Sequence, residues 1–212
     1  MMTSRNFPNL NIPKVQKDVF VRYFMSYAQH YMYQSGNPNP YIIDEYNRDI
    51  LNNMYMWLNR DPLCQWNLDK GIYLCGAIGC GKTIMMKAFL EVVMAASGYF
   101  IPFIQAPSLY EKIQADGMKS MRMCPLFLDE LGREQLEIYV NGVRIRPIED
   151  LMAMRYEYGA CTFFTSNFKI ETLSQGYDDK GKKIGYGEYI GERFREMCNI
   201  VVYPGKSRRD LS

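Results

Sequence analysis

In the stretch "LCGAIGCGKTIM", Leu74–Met85, two glycines, Gly76 and Gly81, bracket four residues, and Lys82 and Thr83 follow at once. An apolar run precedes the stretch and a helix-forming run follows it. Glycine reaches backbone angles that turn successive N–H groups inward, which makes a nest sized for an anion. The helix that follows adds the positive end of its dipole. The spacing therefore predicts a phosphate-binding loop over Gly76, Ala77, Ile78, Gly79, Cys80, Gly81, Lys82, Thr83 and Ile84. Lys82 is expected to reach the terminal phosphates of a nucleotide, and the Thr83 hydroxyl to ligate Mg²⁺.

A loop that holds triphosphate does not by itself hydrolyse it. The run "PLFLDEL" ends four apolar residues in Asp129 and Glu130. An acid at the carboxyl end of a strand can hold Mg²⁺, mostly through water, so Asp129 joins Thr83 as the expected metal pair. Glu130 is then free to polarise an attacking water. "FFTSN" ends in Asn167, whose amide could orient that water without competing as a base. Late in the chain, "GERFREMCN" carries Arg193 and Arg195. The apolar stripe Ile190, Phe194 and Met197 leaves Arg193 off the buried line. A guanidinium there could stabilise charge on a neighbour's nucleotide, or simply pair with Glu192 or Glu196. Spacing alone leaves both readings open.

These residues need a scaffold. From Gly71 onward the sequence alternates short apolar runs with helical patterns. "GIYLC", "YFIPFIQ", "CPLFLDE", "CTFFTSN" and "IVVYP" read as strands. Helices are expected at Lys82–Ser97, at "PSLYEKIQADG", at "PIEDLMAMRYEYG" and at "GEYIGERFREMCN". Continuous apolar strands separated by helices imply a parallel sheet covered on both faces. Before this core, a helix over Val15–Tyr33 carries the stripe Val15, Val19, Phe20, Phe24, Tyr27 and Tyr31. A second, Asp44–Asn59, carries Tyr46, Ile50, Met54 and Trp57. Asn141-Gly142 inside "LEIYVNGVRIRP" predicts a hairpin, with Arg144 and Arg146 on its return arm. It reads as a surface loop or as a contact for DNA or a neighbouring subunit.

The 212 residues carry a net charge of +2, with 48% hydrophobic and 23% charged residues, so no global field singles out nucleic acid or membrane. Six cysteines without a CxxC pair, and His30 as the single histidine, give little for a zinc site. They read as buried thiols in a reducing compartment. No apolar run approaches the roughly 20 residues of a membrane span, and "MMTSRNFPNLNIPK" has no apolar signal core, so a cytoplasmic location is expected.

The ordered set "GAIGCGKT", "LFLDELG", "RYEYGACTFFTSN" and "GERFREMCNIV" resembles the AAA+ ATPases of the DnaC/IstB group, bacterial helicase loaders and transposition helper ATPases. The resemblance covers residues 41–203. It implies a P-loop NTPase fold: a three-layer αβα sandwich around a five-stranded parallel sheet, an AAA+ core at 41–212 without a C-terminal lid. Residues 1–40 are then a short helical N-terminal extension, able to dock a partner. In that family the first two motifs are Walker A and Walker B, Asn167 matches sensor 1, and Arg193 matches the arginine finger acting across a subunit boundary, with Arg195 as the alternative. The second helix matches the segment that covers adenine. ATP and Mg²⁺ are the implied cofactors. The implied partners are further copies of the chain, DNA, and a replicative helicase or a transposase. The alternatives are a nucleotide-gated adaptor with little turnover and a small-molecule kinase. Two departures stand out. About 20 residues separate the second and third strands, room for one helix where many loaders carry another that lines the DNA channel. The N-terminal segment also lacks a cysteine cluster.

Overall fold

The computed structural model describes residues 12–140, 142–177, 181–205 and 207. Two helices lead, α1 (Lys17–Gln34) and α2 (Arg48–Leu58). Then come β1 (Gly71–Gly76), α3 (Lys82–Ser97), β2 (Phe103–Gln105), α4 (Leu109–Asp116), β3 (Leu126–Leu131), the β4 (Ile138–Val140) and β5 (Val143–Ile145) pair, α5 (Pro147–Glu157), β6 (Thr162–Ser166), a one-turn α6 (Ile170–Leu173), α7 (Glu188–Met197) and β7 (Cys198–Tyr203). Five strands form one parallel sheet in the order β2-β3-β6-β1-β7. This is the αβα, five-strand parallel arrangement expected from the alternation. The stretch "GKSRRD" and the first eleven residues lie largely or wholly outside the described residues.

The strands alternate their faces. Ile72, Leu74, Phe127 and Phe163 point into one core, shared with α1, α2 and α3. Tyr73, Cys75, Leu126, Leu128 and Phe164 point into the other, shared with α4, α5 and α7. Each fully buried large side chain removes apolar surface worth about 1.5–3 kcal/mol, which is why both faces must be covered. Trp57 of α2 meets Phe89 and Phe163 edge-on at 5.9 and 5.8 Å. Phe194 of α7 packs on Phe164 at 5.1 Å and on Tyr73 at 5.9 Å. Helix α1 belongs to the first core through Phe20, Phe24 and Ala28.

Several boundaries differ from the sequence expectation. Strand β2 keeps only the last three residues of "YFIPFIQ". Tyr99 and Phe100 are exposed, and Pro102, which has no N–H to give, offers only its carbonyl, to Phe127 N at 3.0 Å. Helix α2 starts four residues late, because Asp44 and Asn47 turn the chain with side-chain bonds to backbone N–H groups. Tyr46 therefore sits before the helix and faces solvent. Between β2 and β3 one α-helix, α4, is flanked by 3₁₀ turns at Ala106–Ser108 and Met118–Met121. The hairpin forms in the expected register, with Ile138 opposite Ile145 and Val140 opposite Val143; Asn141 lies outside the described residues.

Arg155, near the end of α5, is fully buried without a carboxylate partner among the described residues. Its guanidinium donates to Thr162 Oγ1 at 2.9 Å, to Cys124 O at 3.0 Å, and to the carbonyls of Met121 and Cys161. It thus pins the starts of β3, which carries Asp129, and of β6, which Asn167 follows. Arg155→Met keeps most of the volume but leaves several buried carbonyls without donors, each costing about 1–3 kcal/mol where no water replaces the bond. We expect a loss of about 3 kcal/mol, read as a lower urea midpoint with unchanged slope.

Candidate functional site

The carboxyl ends of β1, β3 and β6 lie side by side, and the predicted residues follow those ends. Gly76 closes β1 against β7: a Cβ there would stand 2.5 Å from the Tyr203 carbonyl oxygen, so any larger residue pushes the strands apart. Gly79 (φ 79°) and Gly81 (φ 104°) take left-handed backbone, and Gly81 opens α3. Ala77, Ile78 and Cys80 complete the loop, with Ile84 in the first turn of α3.

Lys82 folds back into this loop and is only 7% exposed. Its Nζ donates to Gly76 O at 2.9 Å, to Ala77 O at 2.7 Å and to Asn167 Oδ1 at 2.9 Å. Burial lowers its pKa from the ordinary lysine value of 10.5; the nearby cysteines and Asp129 oppose that to a lesser extent. A fourth acceptor is Cys80 Sγ at 3.8 Å, so no carboxylate is bonded to Nζ among the described residues. A buried cation in that state gains from any anion that enters.

Thr83 Oγ1 donates to Asp129 Oδ1 at 2.8 Å across 46 residues of sequence. Asp129 is buried at 3% exposure and accepts a second hydroxyl bond from Thr165 on the same oxygen. These are hard oxygen donors beside a phosphate-sized nest, a set that suits Mg²⁺. Among the described residues no group of three or more His, Cys, Asp or Glu could hold a metal. An ion at this place would therefore depend on phosphate oxygens for most of its shell. Thr83 and Asp129 fit that role.

Glu130 is placed differently from its neighbour. Its φ is 59°, left-handed for a non-glycine residue, and the β3–β6 register shifts between Leu128 and Leu131. The bulge aims the two consecutive acids apart: Asp129 points inward, while Glu130 binds Arg133 at 2.9 Å near the surface. Asn167 follows β6 directly and meets Lys82.

The structure brings Lys82, Thr83, Asp129 and Asn167 together, with Glu130 on the adjoining turn. It does not bring Arg193 or Arg195 into a hydrogen bond with that cluster among the described residues. Arg193 lies over the Tyr189 ring at 4.1 Å and the Tyr156 ring at 5.0 Å, and donates to the Tyr189 hydroxyl. Arg195 instead pairs with Glu188 at 2.8 Å, Glu192 at 2.6 Å and Glu171 at 3.8 Å. Two neighbours escaped sequence reasoning. Thr165 sits two residues before Asn167, and Arg133 three after Glu130. Their only sequence signal is adjacency to a motif.

The chain is 29% identical over 152 residues to the replicative helicase loader DnaI of Bacillus subtilis (strain 168), an alignment covering 66% of this chain and 48% of that protein. It superposes on the crystal structure of DnaI with a TM-score of 0.58 at 21% identity, covering 81% of this chain and 88% of that one. The two chains share one fold, a parallel sheet layered between helices. The crystal structure of the DnaC helicase loader superposes at TM-score 0.53 and 16% identity over 77% and 93% of the two chains. The chain thus resembles the DnaI and DnaC helicase loaders, as the motifs imply. It spans about half the length of the DnaI relative it matches. No family model matches the chain. No helix among the described residues is long and apolar enough to cross a membrane.

Proposed function

We propose that this chain binds Mg²⁺-ATP, hydrolyses it between assembled subunits, and assists DNA replication as a loader of a replicative helicase. The observation that carries the reading is the Thr83–Asp129 hydrogen bond, 2.8 Å long, beside a lysine buried among loop carbonyls. Mg²⁺, when bound, supplies charge neutralisation at the transferring phosphate. The chain's own residues do the rest. The N–H groups of Gly76–Thr83 and the start of α3 receive phosphate oxygens, and Lys82 leaves its carbonyls to join them. Thr83 and Asp129 present oxygens at the metal position. Glu130 turns from Arg133 to take a proton from water, and Asn167 orients that water.

Among the described residues no arginine is bonded to Lys82, Thr83, Asp129 or Asn167, and Arg133 is engaged by Glu130, which favours an arginine supplied by a neighbour. We assign that role to Arg193. The β4–β5 hairpin exposes Tyr139 and Val143 beside Arg144 and Arg146, both now paired with Glu137, and we read it as the element that meets DNA once those pairs exchange for phosphate. The loader reading draws on the similarity to DnaI and DnaC.

The test is phosphate release per subunit measured across a wide range of protein concentration. The rate is expected to climb as subunits assemble and then level off. A rate per subunit that stays flat while light scattering reports assembly refutes shared sites.

A further inference from the structure

We infer that Thr165 is a positioning residue that holds the two acids of β3 in their working arrangement, acting through the Asp129 carboxylate and the Glu130 backbone. The inference rests on the reading of the site above and adds a residue to it.

Strands β3 and β6 are in register up to Leu128–Phe164 and again at Leu131–Ser166. Asp129 and Glu130 fall in the gap, where no strand pairing to β6 fixes them. Glu130 also takes the left-handed backbone at φ 59°, which costs an ordinary residue roughly 1 kcal/mol and persists only when its surroundings hold it. Thr165 spans that gap. It is 1% exposed, so its hydroxyl has no access to bulk water. The hydroxyl proton goes to Asp129 Oδ1, and Thr165 Oγ1 in turn accepts the Glu130 N–H at 3.1 Å. One hydroxyl therefore ties the side chain of the first acid to the main chain of the second. The next residue, Ser166, donates to Leu131 O at 2.7 Å and closes the far side of the bulge.

The geometry has a further consequence. Asp129 Oδ1 is gripped from two elements, by Thr83 of α3 and by Thr165 of β6. When Thr83 turns its oxygen toward a ligand, the carboxylate loses one of these donors and keeps the other. Asp129 then stays in place while the helix end adjusts. Without Thr165, the carboxylate would be free to rotate at the moment it is needed. The Glu130 N–H would also lose its acceptor, and the strained turn would lose its support.

Thr165→Val keeps the shape and removes both bonds; Thr165→Ser keeps both bonds and removes a methyl. In the nucleotide-free protein, hydrogen exchange at the Glu130 amide is expected to accelerate roughly tenfold in Thr165→Val and to stay near wild type in Thr165→Ser. At saturating ATP, phosphate release is expected to fall about 10–100-fold in Thr165→Val, the range seen when groups supporting a metal ligand are removed, with the KM for ATP little changed. Thr165→Ser is expected to restore turnover. Unchanged amide exchange in Thr165→Val overturns the inference, as does a serine variant as impaired as the valine one. The amide readout needs no nucleotide, so a wild-type protein that fails to bind ATP sinks the functional reading without deciding this one.

Discussion

Replacing Lys82 with alanine is expected to lower the affinity for ATP about 100-fold and to remove measurable phosphate release. Truncating one partner of a buried, hydrogen-bonded charge pair costs about 2–5 kcal/mol, and each 1.4 kcal/mol is tenfold in affinity. Lys82 meets those conditions. It is nearly buried, its hydrogen bonds end on two loop carbonyls, the Asn167 amide oxygen and Cys80 Sγ, and its pKa is already depressed by burial. An incoming phosphate would be the first anion bonded directly to it among the described residues. The same depression fixes the pH dependence. Phosphate binding needs the ammonium, and the empty folded site releases that proton below the ordinary lysine value of 10.5, so affinity falls as pH rises through that window. Stability runs the other way. The unfolded chain, with the higher pKa, binds the proton more tightly, so this group's contribution to stability rises with pH over the same window. Titration with a fluorescent ATP analogue at several pH values checks both the loss and its sign. Alanine-variant affinity equal to wild type would mean that the loop does not grip phosphate.

Local punctuation explains what could be read in advance. Helix α3 runs over Lys82–Ser97 as expected, because Gly81 and Gly98, both at positive φ, bound it on either side. The helix-to-strand passage at Met197–Cys198 has no such residue. The start of β7 at Cys198 was accordingly missed by two positions. The glycine-rich loop is legible because its residues are consecutive. Thr83–Asp129 and Lys82–Asn167 could be paired only through the motifs, since the contacts span 46 and 85 residues. Three features left no trace in pattern. The bulge that turns Glu130 away from Asp129 and sets its carboxylate on Arg133 is one. Thr165 is one apolar-strand threonine among several. Arg155 occupies a helix position that reads as surface yet is fully buried. All three depend on how β3 and β6 meet, and strand order is not a local property.

Arg193→Ala is expected to lower phosphate release in the assembled protein by roughly a thousandfold, the scale attached to arginines that reach a transferring phosphate from a neighbour. Nucleotide binding to isolated subunits should not change, because Arg193 makes no bond to its own loop among the described residues. The structure separates the two arginine candidates by their partners. Arg195 is encircled by three carboxylates, and freeing it would leave those charges unpaired. Arg193 has aromatic partners instead. Its guanidinium lies over Tyr189 and Tyr156, and Tyr189 is well exposed. Cation–π contacts at such a place are worth about 0.5–1 kcal/mol each, enough to limit the rotamers of a long side chain and weak enough to yield to phosphate. Arg195→Ala is therefore expected to reduce turnover only modestly. Mixing settles whether the residue acts across a boundary. Lys82→Ala subunits keep Arg193 and lack a working loop; Arg193→Ala subunits keep the loop and lack the arginine. Where the second kind sits against the first, a complete site forms, so a mixture of two inactive proteins should regain part of the activity. A mixture that stays inactive although both variants co-assemble would place Arg193 outside the reaction, and the source of the missing positive charge would have to be sought on another face of the subunit.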